Sequence, residues 1–312
     1  MKKMRLHIFI AMGVFLAVFI VGSFLDLQVS QAIFSERNGF GLTVAALSMT
    51  LGYAVIALMG GVVLYHGVKL TNVIWQRIIF IAASVVFLGV AVYFDSGEYF
   101  GPNGWYQVAP EYFGYFIAIP LMGVSMYGGY ILAKRSNNPR LWLLMIIGAF
   151  FIGLSLIIGT TVVKGIFHRP RYRIAVYNKV TEFFPWWKRC SNYKELMQII
   201  SEKFELSLEA SKEEFKSFPS GHTSVCAVTM LGVVLLPFIM GKELKHQVIY
   251  FYIAMAYTLF VAFTRVLVGA HYLSDVGMGG LITVVCLYIY YEIILHYPKL
   301  YEKPEEVAPQ AE

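Results

Sequence analysis

An all-α, polytopic membrane fold is what this sequence predicts, and three observations carry that expectation. Of its 312 residues, 58% are hydrophobic and only 14% charged, whereas a soluble domain carries about 25% charged residues. The mean hydropathy is +0.64. So little charge cannot cover a water-facing surface, which excludes a soluble enzyme, a disordered chain or a nucleic-acid module as the main reading. Second, eight apolar runs approach the ~20 residues that a spanning helix needs. Third, the basic residues of the short loops all fall on one side of such a bundle. The net charge of +6 then reflects loops and an anion site rather than a nucleic-acid footprint.

The runs cover residues 6–24, 42–65, 73–93, 113–132, 141–166, 223–240, 247–268 and 275–295. The first comes after MKKMR, as in a signal peptide. No small-residue cleavage site comes after it, since residues 22–28 read GSFLDLQ, so a retained helix is expected. With eight spans, Lys2, Lys3, Arg5, Lys69, Arg77, Lys134, Arg135, Arg140, Lys242 and Lys245 share one side. Asp26, Glu36, Asp95, Glu98 and Glu111 lie on the other. The positive-inside rule then makes both termini cytoplasmic.

The loop 167–218 is long and rich in Lys and Arg, yet falls on the outer side. Long loops translocate regardless of charge and are often functional. Leu196, Ile199, Ile200 and Phe204 recur at helical spacing, and Phe183, Phe184, Trp186 and Trp187 cluster before them. The loop is either a soluble cap packed on itself or an interfacial lid. Residues 299–312 read as a polar tail. Cys190, Cys226 and Cys286 have no paired spacing, so neither a disulfide framework nor a zinc site is expected.

Three clusters put polar groups at the outer ends of apolar runs. In KGIFHRPRYR, Lys164 and Arg171 stand seven apart, with Pro170 bending the chain between them. A lysine point charge and an arginine fork suit a phosphate. Next comes Pro219-Ser220-Gly221-His222 at the start of a run. A helix N-terminus binds anions, glycine admits close approach, and His222 can handle a proton. The third is Thr264-Arg265, then His271 and Asp275. Arg265 ends an apolar span, where an ionisable group is a functional hypothesis by default. His271 and Asp275 are four apart, which predicts neighbours on one helical face, with the carboxylate fixing the imidazole tautomer.

Together the three clusters resemble the type 2 phosphatidic acid phosphatase superfamily. Its pattern is Lys, six residues, Arg-Pro; then Pro-Ser-Gly-His; then Ser-Arg, five residues, His, three residues, Asp. Here Tyr172 replaces the first proline and Thr264 the serine; all spacings are kept over roughly residues 141–295. The resemblance implies a phosphatase-like transmembrane core over 71–298 that includes the 167–218 loop. Residues 1–70 would be additional N-terminal helices and 299–312 a cytoplasmic tail. It also implies His271 as a nucleophile forming a phosphohistidine, Asp275 as its orienting carboxylate and His222 as acid and then base. Lys164, Arg171, Arg265, Ser220 and Gly221 would hold the phosphoryl oxygens. It implies no metal and no cofactor.

The implied substrate is a phosphorylated membrane lipid such as undecaprenyl diphosphate, phosphatidic acid or phosphatidylglycerol phosphate. The implied setting is a bacterial cytoplasmic membrane with the site outside. Alternatives are a phosphatase of a small soluble phosphate, a phosphoryl or headgroup transferase, and an anion transporter. A transporter would show repeated halves and mid-span breaks, and the sequence has neither. His168, Arg169 and Arg173 have weaker claims on the site.

Overall fold

The structure is a computed structural model that describes residues 4–36, 38–99, 112–136 and 138–300. Lys2, Lys3 and Glu111 lie outside these, as does the expected polar tail from residue 301 on. Among the described residues there are helices and no strand. They are α1 (Met4–Ile33), α2 (Gly39–Ser48), α3 (Thr50–Tyr65), α4 (Ile74–Ser96), α5 (Phe113–Ser136), α6 (Leu141–Leu156), α7 (Lys164–Phe167), α8 (Tyr193–Phe204), α9 (Leu208–Glu213), α10 (Gly221–Met240), α11 (Gln247–Leu267) and α12 (Leu273–His296). Eight segments of the described residues are long and apolar enough to cross a membrane. Their outer faces carry large apolar side chains such as Phe24, Trp75, Phe116 and Val124. Hydrocarbon satisfies such a surface, and water would not.

Two of the apolar runs are more irregular than their composition suggests. The second span, Gly39–Leu70, is α2 and α3 in succession, closed by a wide turn at His66–Leu70. The fifth, Leu141–Phe167, is α6, a second wide turn at Ile157–Val163, and α7. Extra residues in a wide turn rotate the later part of a helix relative to the earlier part. Lys164 is the first residue beyond that turn.

The first span also needs correction. It runs to Ile33, not to residue 24. Asp26, read as a loop acid, is buried within α1. The reason is packing: α1 lies along α12, and the partners waiting there let the helix continue through a carboxylate. Arg5 Nε donates to Glu292 Oε1 at 2.6 Å at one end of the pair. Ser274 N donates to Asp26 Oδ1 at 2.7 Å at the other. The two helices are therefore antiparallel, and the described chain begins and ends at the same end of the bundle. Elsewhere α3 packs on α4, α5 and α10, and α10 on α11 and α12. Thus α1 and α3, both before residue 71, touch α12 and α10 directly.

Between α7 and α10 the chain folds into a cap with its own core. Ile174, Phe184, Cys190, Leu196, Ile200 and Phe215 form that core. So the loop packs on itself, as one of the two expectations had it. It also leans on the bundle: Trp186 stacks on Phe218 at 5.5 Å, lies 5.1 Å from Phe19 of α1 and donates to Ser23 Oγ at 2.9 Å. Glu214 staples the cap from inside. Its carboxylate accepts Arg173 Nε at 2.9 Å, Arg173 Nη2, and Arg171 Nη1 at 3.4 Å. All three cysteines are buried and free.

This packing has two measurable consequences. A side-chain carbon at Gly22 would strike the backbone of Leu273 and Ser274, whereas at Gly13 of the same helix it would meet nothing. Gly22→Val should cost about 1–3 kcal/mol and lower the melting temperature in detergent, with Gly13→Val unchanged. Equal shifts in both would show that α1 is not docked this closely. For Glu214, burial alone would raise the carboxyl, but Arg173 and then Arg171 outweigh it and hold it below its ordinary value. A depressed folded value stabilises above the unfolded one, ~4.3, and that contribution is lost as pH falls through the folded value. Acid titration monitored by tryptophan emission should show the cap loosening below about pH 4. Glu214→Gln should remove that acid transition and leave the cap weakened at neutral pH.

Candidate active site

The three polar clusters arrive at one end of the bundle from different directions. Lys164 opens α7, which ends at His168, where φ is 45°. That left-handed residue stops the helix two positions before Pro170, so the bend expected at the proline comes slightly earlier. His168 itself stacks on Tyr193 of α8 at 3.8 Å. The chain then turns under the cap, where the Arg171 N–H donates to Glu214 O at 2.8 Å. Arg173 N donates to Gly269 O, in the turn between α11 and α12. Gly269 has φ of 64°, a conformation that side chains disfavour. It lets the chain reverse and bring His271 back over Arg265, whose carbonyl accepts the His271 N–H at 3.2 Å.

Ser220 caps α10, its Oγ accepting from Thr223 N at 3.3 Å. Its own N–H donates to Asp275 O at 2.9 Å, which ties the second cluster to the third. The cradle expected of Ser220 and Gly221 is narrowed accordingly. Ser220's N–H is already used, and the first-turn N–H groups left without intrahelical partners are those of Gly221 and His222. The Phe218–Pro219 bond is cis.

His271 departs most from expectation. It sits in the turn before α12, not on a helical face shared with Asp275. Its Nδ1 is 2.6 Å from the Ser217 carbonyl and 3.7 Å from Asp275 Oδ2. A carbonyl only accepts, so Nδ1 carries the hydrogen and Nε2 keeps its lone pair. The main chain, not the carboxylate, therefore selects the tautomer. Burial pushes His271 down to about 3 against the pull of Asp275, with Arg171 and Lys164 adding to the fall. The imidazole is therefore neutral at physiological pH. The His222 ring lies 6.5 Å away, centre to centre.

Asp275 is engaged on both oxygens. Oδ2 accepts Ser217 Oγ at 2.5 Å and Tyr272 N at 2.8 Å. Oδ1 accepts Arg169 Nη1 at 2.5 Å. Arg169 is 1% exposed. It also donates to Ser274 Oγ at 2.9 Å, to Asp26 Oδ2 at 2.8 Å and to Phe184 O at 2.7 Å, and it lies 4.0 Å over the Tyr272 ring. Asp275 and Asp26 hold its guanidinium above the ordinary arginine value although burial works the other way. Arg169 had a weak claim from sequence and Asp26 had none. The signal for Asp26 is a lone carboxylate within an apolar helix that continues to Ile33. Nothing in the sequence pointed to the Ser217 carbonyl.

Arg171 and Arg265 are both buried, and the Nε of each lacks a hydrogen-bond partner among the described residues. Buried donors normally find partners, and an anion beside these two arginines would supply them. The charged or titratable groups around His222 include Lys164, Arg171, Arg265 and His271, and Glu98, whose Oε2 lies 3.4 Å from His222 Nε2. Lys164, Arg171, Arg265, His222 and His271 thus come near one another at this end of the bundle, while Asp275 is taken up by its own partners. A neutral imidazole, the buried Arg171 and Arg265 and a helix N-terminus at one end of the bundle are groups that can hold an anion and attack it.

Comparison with known proteins agrees with the motifs. No curated protein and no solved structure matches the chain. The family model described as the PAP2 superfamily matches residues 142–297, half of the 312 residues. That stretch holds Lys164, Arg171, Ser220–His222, Arg265, His271 and Asp275, and the chain belongs to the PAP2 superfamily.

Proposed function

We propose that the chain is a membrane-embedded, metal-independent lipid phosphate phosphatase working through a phosphohistidine. Membership of the PAP2 superfamily supports phosphatase activity in general. The observation that carries the finer reading is the lone pair left on His271 Nε2, with the His222 ring 6.5 Å away and the charges of Arg171 and Lys164 acting on the imidazole.

In the proposed reaction His271 Nε2 attacks phosphorus and the bond from phosphorus to the leaving oxygen breaks. His222 gives its proton to that oxygen. A water then attacks the phosphohistidine, His222 takes the water's proton, and the phosphorus–nitrogen bond breaks to release orthophosphate. Lys164, Arg171, Arg265 and the N–H groups at the start of α10 stabilise the charge that builds on the equatorial oxygens. Asp275, clamped by Arg169, keeps the turn that carries His271 in place and lends negative charge to the imidazolium side of the reaction.

A lipid substrate is supported by the aromatic cluster of Trp186, Phe218 and Phe19, which joins the cap to α1, the first of the apolar segments. Undecaprenyl diphosphate, phosphatidic acid and phosphatidylglycerol phosphate all present phosphate at a membrane surface. The positive-inside rule puts the site on the outer face, with both ends of the chain in the cytoplasm.

Purified protein in detergent should release phosphate from such lipids with EDTA present, since the cations are side chains. His271→Ala should lower kcat by about 10³-fold or more; full activity in that variant would remove His271 as nucleophile. Release only from soluble sugar phosphates would favour a soluble substrate. Label found on an acceptor lipid would favour a transferase, and phosphate uptake into proteoliposomes without hydrolysis a transporter. Arg169→Met should leave two carboxylates buried without their cation, which costs about 3–5 kcal/mol. Its melting temperature should fall, and kcat should fall with it while KM changes less. An Arg169→Met enzyme with wild-type melting and kcat would dissociate the clamp from the site.

A further inference from the structure

Glu98 stands among the phosphate-binding groups without a role in the proposed reaction. It lies just past the last turn of α4, where its N–H donates to Asp95 O at 3.1 Å. Its neighbours on the described side are tied together: Tyr99 OH donates to Asp95 Oδ2 at 2.7 Å and meets Thr50 Oγ1 at 2.8 Å. The Glu98 side chain is 23% exposed, and its Oε2 lies 3.4 Å from His222 Nε2. Arg265, Lys164, Asp95 and Arg171 are the other charged groups whose fields reach it. Three of these are the cations proposed to hold phosphate. Burial pushes the Glu98 carboxyl up to about 7 against the pull of Arg265, Lys164 and Arg171, so near neutrality it still carries much of its charge.

A carboxylate in that position cannot hold phosphate, because two anions repel. It can compete with phosphate. A ring nitrogen carries one hydrogen, and the nitrogen of His222 that faces Glu98 cannot serve a leaving oxygen at the same moment. The same cations attract substrate phosphate and the orthophosphate left after hydrolysis alike. A pocket of three cations and a helix N-terminus would hold that product tightly. A fixed negative charge beside it weakens the grip.

We infer that Glu98 sets the affinity of this site: it is a resident carboxylate that competes with phosphate for His222 and the surrounding cations and so favours product release. The inference rests on the proposed phosphate pocket, not on the identity of the lipid.

The test is orthophosphate binding to the purified, detergent-solubilised chain by calorimetry, which needs no turnover. At about pH 8, Glu98→Gln should tighten orthophosphate about tenfold, equivalent to ~1.4 kcal/mol. Glu98→Asp, which keeps the charge, should stay within about threefold of wild type. The ratio of wild type to Glu98→Gln should shrink toward one near about pH 5.5, where the wild-type carboxyl is also neutral. Should Glu98→Gln fail to fold, Glu98→Ser removes the same charge and is read in the same way. Orthophosphate binding that is unchanged or weakened by loss of the charge overturns the inference. So does a Glu98→Asp variant as tight as Glu98→Gln. A wild type that binds orthophosphate but hydrolyses nothing defeats the phosphatase reading alone, and the variant constants still decide the role of Glu98. A wild type that binds no orthophosphate defeats both.

Discussion

A buried guanidinium between two carboxylates governs how one end of this molecule assembles. An arginine taken out of water is costly unless every donor finds an acceptor. Arg169 finds them in three separate parts of the chain: Asp26 on α1, Asp275 and Ser274 on α12, and the Phe184 carbonyl in the cap. None of these parts can dock alone without leaving a charge or a donor stranded. Such a cluster need not add net stability over an apolar one. Its effect is selective, because only one arrangement of helix, cap and turn satisfies it.

The site inherits its order from that cluster. Asp275 is pinned by Arg169, the Ser217 hydroxyl and the Tyr272 N–H, so the turn before α12 has little room to move. Within the turn the Ser217 carbonyl takes the Nδ1 hydrogen of His271, which leaves the other nitrogen free without need of a conformational change. Opposite, Glu214 satisfies Arg173 first and Arg171 only weakly. Arg171 therefore retains a donor for a ligand while its charge remains balanced. Groups held in advance, in a place where water is scarce, stabilise developing charge at little reorganisation cost.

The bilayer explains the rest of the design. Helices are the spanning elements because each pairs its own backbone groups. With lipid as solvent there is little apolar drive between helices, so close backbone approach takes its place. The contact of Gly22 with the start of α12 is one such approach, and it carries Asp26 to within reach of Ser274. Helix α1, expected to be an N-terminal addition, is thus wedged against the start of α12, next to the turn that bears His271. The cap closes this end of the arrangement, with Trp186 packed on Phe218 and Phe19.

Much of this was legible in the residues themselves. Spanning helices are dictated by apolar length, and Lys164, Arg171, Ser220–His222, Arg265, His271 and Asp275 stand out because polar groups at helix ends and fixed spacings are local properties. What folding alone decided lies between segments distant in the chain. Asp26 and Arg169 are 143 residues apart, and no pattern of either neighbourhood announces the pair. The tautomer of His271 depends on a main-chain carbonyl, which every residue has and no residue type marks. Even the spacing of four between His271 and Asp275, a helical signal, was spent on a turn, because a left-handed Gly269 and the Arg173 bond to its carbonyl ended one helix and delayed the next. Sequence determines which chemical groups are present and which must sit at a membrane surface; only the packed chain determines which of them share a proton, a charge or a partner.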